Sequence, residues 1–76
     1  MTLTERLTLN KAKLLISNGD ILGACKIASN LPLHSTPESA KFQQENETRQ
    51  YVGNLQNLIA NGLLSADNAQ IFINSL

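Results

Sequence analysis

Cys25, His34 and the carboxylates Glu38, Glu45 and Glu47 are the side chains whose chemistry would make this chain an enzyme. A cysteine nucleophile needs a neighbouring base or a positive field to lower its pKa. Lys26 adjoins Cys25 in sequence but is displaced by about 100° around a helix. Cys25 is therefore expected to serve as a small buried residue. His34 stands between Leu33 and Ser35 in a connector, and it is the chain's one histidine. It reads as an ordinary loop residue rather than a general base. Glu45 and Glu47 are two positions apart on a predicted helix and diverge. Acid–base catalysis by carboxylates needs two of them converging in one cleft with separated pKa values, so these are expected on a solvated face.

One cysteine and one histidine make neither an intrachain disulfide nor a Cys/His zinc site. The four glycines, Gly19, Gly23, Gly53 and Gly62, are dispersed and form no phosphate-cradling loop. The expectation is a noncatalytic protein without cofactor or metal.

Charge limits the partners. Lys and Arg balance Asp and Glu, six against six, so no long-range field steers the chain toward phosphates. The segment GLLSADNAQIFINSL has the outline of a helix-turn-helix tail. Asn and Gln read adenine, but this segment has no Arg or Lys to anchor phosphates. Arg6, Lys11, Lys13, Lys26, Lys41 and Arg49 are spread over three predicted elements. Nucleic-acid binding, as a small transcriptional or replication regulator, is the secondary expectation.

The elements that carry these residues are helical. Thr2 and Glu5 form a capping box. Leu3, Leu7, Leu14 and Leu15 come next at helical spacing, widened by Leu9 and Ile16, and are expected to face the core. Asn18-Gly19 ends this helix. Asp20 caps a second, over residues 21–30, with Ile21, Ala24, Cys25 and Ala28 on one face. Gly23, Ala24 and Ala28 are expected to let it approach the first helix closely. The short turn makes an antiparallel hairpin, and Pro32 stops it.

Thr36-Pro37-Glu38 starts a third helix. Ser35 with Glu38 is an alternative box. One helix over residues 37–61 is expected; the alternative is a break near Asn46. Asn61-Gly62 closes it, and Ser65 caps a last helix. The predicted fold is all-α: one domain over residues 1–76, a four-helix bundle of two hairpins.

LISNG (residues 15–19) and LIANG (58–62) share four letters in five. A duplicated hairpin and shared stop chemistry both account for that. Gly19, Ile21, Ala24 and Ala28, with Pro32 after them, resemble a tetratricopeptide unit over residues 12–32. The family's aromatic and Leu-Gly pair are absent, and Pro32 comes too soon after the small residues. The resemblance implies helix packing and no ligand residues.

A chain of 76 residues with no covalent staple has a thin stability margin, so self-association, including a homodimer, is expected about as readily as a monomer. The polar run QQENETRQ is too hydrophilic to be core on both sides. Phe42, Gln43, Arg49 and Tyr51, with Leu64, are the expected partner-binding residues, because aromatics and arginine are favoured at interface hot spots. The loop leucines Leu33, Leu63 and Leu64 are expected either to cap the core or to form an exposed patch. MTLTERL has no apolar h-region, and no apolar run reaches the roughly 20 residues of a bilayer span. With a lone thiol, the chain is expected in the cytoplasm. The functional expectation is a small protein-binding module: an adaptor, assembly factor or regulator.

Overall fold

The computed structural model describes residues 2–32 and 34–76. Among them the chain forms five α-helices and no strand: α1 (Leu3–Ser17), α2 (Ile21–Ile27), α3 (Pro37–Asn46), α4 (Val52–Ala60) and α5 (Ala66–Asn74). A single 3-10 turn, Ala28–Asn30, extends α2. The all-α prediction holds, but five helices stand where four were expected.

The extra helix comes from the break at Asn46. A continuous helix over residues 37–61 would be about 37 Å long, more than the molecule's 33 Å longest extent. It would also hold Phe42 some 20–24 Å from Leu55 and Leu58. Splitting it lets all three enter one core, where each is at most 2% exposed. The Arg49 N–H donates to the Asn46 carbonyl at 2.9 Å to make the turn. Tyr51 then takes a left-handed conformation, φ 66°, a geometry that costs a non-glycine residue energy.

Four of the five helix starts match their predicted caps; α4, whose start follows the break, has no side-chain cap. Thr2 and Glu5 form the reciprocal box. The Asp20 carboxylate accepts from the Gly23 N–H at 2.9 Å, and Ser65 accepts from the Asn68 N–H at 3.1 Å. At α3, Thr36 pairs with Ser39. Glu38 is used elsewhere: its carboxylate accepts the Ala66 N–H at 3.0 Å, adding a second cap to α5. Gly23 has a local role too. A Cβ there would collide with the Asp20 carboxylate, so glycine makes room for the cap.

LISNG and LIANG make the same stop. The Gly19 N–H donates to the Ile16 carbonyl at 3.0 Å and the Asp20 N–H to Leu15 at 2.8 Å. The Gly62 N–H donates to Ile59 at 3.0 Å and the Leu63 N–H to Leu58 at 3.0 Å. Both are Schellman motifs, with Gly19 at φ +82° and Gly62 at φ +75°. The continuations differ: α2 begins directly after Asp20, whereas three residues separate Gly62 from α5. α1 packs closely on α2, while α4 meets α5 along a shorter contact. The two segments share stop chemistry, and the hairpins that follow differ in turn length and contact. Gly62→Ala is expected to cost about 1 kcal/mol, and Gly62→Asn less, since asparagine tolerates φ > 0. Urea midpoints at constant m-value measure this. No atom lies within 4 Å of the added Cβ, so the cost isolates backbone conformation.

α4 is central. It touches α2, the 3-10 turn, α3 and α5, whereas α1 packs mainly on α2 and the 3-10 turn. The core joins Ala12, Ala24, Cys25, Ala28 and Leu31 to Phe42, Val52, Leu55, Leu58, Ile59, Leu64, Ala69 and Ile73. Amides on α4 and at its C-cap stitch the halves together. Asn57 Nδ2 donates to the Ala28 carbonyl at 2.8 Å. Asn61 Nδ2 donates to the Pro32 carbonyl at 3.2 Å and to Asn57 O at 2.8 Å.

Candidate interaction surface

Cys25, His34 and Glu38 are engaged in the fold, while Glu45 and Glu47 are exposed. Cys25 is fully buried among the core residues, and burial pushes its thiol up to about 11 from 9.0. The nucleophilic thiolate is therefore suppressed at neutral pH. His34 Nε2 lies 2.7 Å from the Ala60 carbonyl. A carbonyl only accepts, so Nε2 carries the hydrogen and closes a free end of α4. Among the described residues, no group of three or more His, Cys, Asp or Glu side chains is placed to hold a metal ion.

The five residues expected to bind a partner do not form one surface. Phe42 and Leu64 are 2% and 8% exposed and belong to the protein's own core. The turn after Asn46 folds Phe42 inward, and Leu64 lies buried in the α4–α5 link, so packing inside the fold accounts for both. Tyr51 is half-buried against that core. Gln43 is exposed and accepts from Gln56 Nε2 at 3.0 Å. Arg49 is exposed and donates through Nη1 to Asn74 Oδ1.

That arginine bond ends an internal network. Asn46 Nδ2 donates to the Phe42 carbonyl at 3.0 Å and to Gln70 Oε1 at 2.8 Å. Gln70 Nε2 donates in turn to Asn74 Oδ1 at 3.0 Å. Three of the eight side chains of QQENETRQ, Gln43, Asn46 and Arg49, thus reach α4 or α5. Of the loop leucines, Leu64 is buried and Leu63 packs half-buried on the core. Leu33 lies outside the described residues.

Of the five exposed large apolar residues among the described residues, three lie on α1, where the expected core stripe is divided; Ile71 and Leu76 lie at the C-terminal end. Ala12 is buried, and Leu9, Leu15 and Ile16 pack beside it. Leu3, Leu7 and Leu14 are 71%, 61% and 62% exposed. At about 100° per residue these three leucines lie within roughly 40° of one another, on the side opposite Ala12. The helix has two apolar faces, and the one centred on a small residue went inward. Ala12 meets a helix that itself presents Ala24, Cys25 and Ala28, so small residues on both sides permit close packing.

The rim of the outer stripe is cationic. Arg6 and Lys13 flank it on one side, and Thr4 and Lys11 on the other; all four are exposed. Glu5, the one acid in α1, accepts the Thr2 N–H at 3.0 Å within the cap. Isolated exposed leucines need no explanation, but three on one helix face, ringed by charge, have the composition of a contact site.

Fold and surface together define a small all-α protein with an unpartnered leucine face on its outermost hairpin. Compared with models of protein families, with curated proteins and with solved structures, the chain matches none. No helix among the described residues is long and apolar enough to cross a membrane.

Proposed function

We propose that the protein is a noncatalytic protein-binding module, an adaptor, assembly factor or regulator that acts by docking a preformed helix onto a partner. The observation that carries this is the exposed leucine row of α1. Burying Leu3, Leu7 and Leu14 in a partner would each contribute on the order of 1–2 kcal/mol. The helix is already folded and capped, so little ordering entropy opposes the contact. The buried, protonated Cys25 and the structurally engaged His34 support a role without catalysis. Leucines at the centre of the cationic face also weigh against a phosphate-binding role, where polar donors are wanted. A reducing cytoplasm suits the lone thiol.

Affinity capture from the protein's own cells, comparing wild type with Leu7→Gln/Leu14→Gln, tests the reading. Both positions are solvent-exposed, so the unfolding free energy should stay within about 0.5 kcal/mol of wild type. Specific partners should be lost from the variant. Unchanged capture would overturn the reading. An Arg49→Ala chain in the same assay reports on the Gln43–Arg49–Tyr51 edge; capture retained there and lost in the leucine variant assigns the contact to α1.

A further inference from the structure

We propose that the outer face of α1 is one half of a heterotypic helix pair, whose other half is a partner-protein helix with leucines at heptad spacing flanked by Asp and Glu. The proposal rests on the docking reading above and specifies its partner.

The register comes from the exposed positions. With Leu7 and Leu14 at successive a positions, Leu3 and Asn10 fall at d, and Ser17 at the next d. The stripe is narrow, as a helix–helix seam is; an ordinary core-facing stripe spans 100° or more. The same numbering places Arg6 and Lys13 at g, and Thr4 and Lys11 at e. The e and g positions choose the partner, since they meet the partner's e and g across the interface. Here three of those four are cations and none is an acid. All of the positions named, from Leu3 to Ser17, are exposed, so nothing among the described residues occupies the seam.

This pattern excludes a second copy of α1. Two such helices would bring Arg6, Lys11 and Lys13 against the same cations of the other chain. The remaining surface of a second copy is no substitute. Its exposed large apolar residues outside α1 are Ile71 and Leu76, among the described residues, and these do not make a heptad row. An anionic bilayer would satisfy the cations, but an interfacial helix needs a broad apolar face, and aromatic residues commonly contribute to it. α1 offers a narrow row interrupted by Asn10, and it has no aromatic residue. The polar Asn10 at a seam position suits a register-fixing role between two helices.

The test uses the full chain and two synthetic heptad peptides with leucine at a and d, one with glutamate and one with lysine at e and g. A backbone-amide NMR titration should show the glutamate peptide shifting α1 resonances and binding at least about tenfold tighter than its lysine twin, a difference of about 1.4 kcal/mol. Added salt should narrow the gap. Leu7→Gln/Leu14→Gln should abolish the shifts while circular dichroism stays unchanged. The charge reversal Arg6→Glu/Lys11→Glu/Lys13→Glu should switch preference to the lysine peptide.

Equal affinity for both peptides, or no binding of the glutamate peptide, would overturn the proposal. So would leucine-dependent binding to phosphatidylserine vesicles in place of the peptide, or concentration-dependent self-association lost in the leucine variant. The two readings fail separately. A silent glutamate peptide, with native capture still lost in the leucine variant, removes the acidic seam and leaves docking in place. Undiminished native capture removes docking itself.

Discussion

Leu58→Ala is expected to lower the melting temperature by roughly 10–30 °C. Leu58 is fully buried and sits in α4, the helix that touches α2, the 3-10 turn, α3 and α5. Truncation removes its transfer free energy and leaves a cavity bounded by several elements, a combined loss of about 2–5 kcal/mol. A domain of 76 residues has only about 4–11 kcal/mol in total. Its carbonyl, which accepts the Leu63 N–H at 3.0 Å, is untouched, so the loss reports packing and not the helix stop. Thermal unfolding by circular dichroism measures it. Leu14→Ala is the control: it deletes the same atoms from a side chain that is 62% exposed, and its melting curve should nearly overlay wild type. If Leu58→Ala melts within a few degrees of wild type, α4 is not the centre of the core.

That pair of leucines marks where sequence reasoning succeeds and where it stops. Caps and stops are legible because their partners lie within a few residues: Thr2 with Glu5, Asp20 with Gly23, and the two Asn-Gly ends. Helix class comes directly from them. The inward face of α1 is not legible in the same way, because periodicity shows that two apolar rows exist and not which row meets a neighbour. Ala12 against the small residues of α2 decides it, a matter of packing distance. The outward row has its own signal, heptad spacing with cations at e and g, which a count of leucines passes over.

The sequence offers the break near Asn46 only as an alternative to a continuous helix, and local residues do not choose between them. Gln70, which accepts from the Asn46 amide in the broken form, lies 24 positions away. Asn61 reads as part of a helix stop and Asn57 carries no local signal, yet their amides satisfy the carbonyls of Ala28 and Pro32 across the two halves. Residue type alone selects Phe42 and Leu64 as partner-binding. Both are apolar enough for an interface, and for the same reason a small chain recruits them into its own core.

Cys25 should make the fold sensitive to alkali between pH 9 and about 11. Burial raises its thiol from 9.0 to about 11, because the thiolate has no water and no cation to stabilise it. In the unfolded chain the thiol ionises near its ordinary pKa; in the folded chain it keeps its proton. Across that window the folded state binds more protons, so stability falls as pH rises. The contribution is fully present below pH 9 and is lost as pH passes through about 11. A shift of two units corresponds to about 2–3 kcal/mol, a large fraction of the total for a chain of this length. Urea unfolding at a series of pH values measures the slope. Lysines and Tyr51 also titrate in this range, and Cys25→Ala removes the thiol while retaining them. The wild-type minus Cys25→Ala difference should therefore be flat from pH 6 to 8 and decline above 9. A difference that stays flat to pH 11 would mean that the thiolate is accommodated in the fold. Cys25 would then be open to the nucleophilic role that its burial argues against.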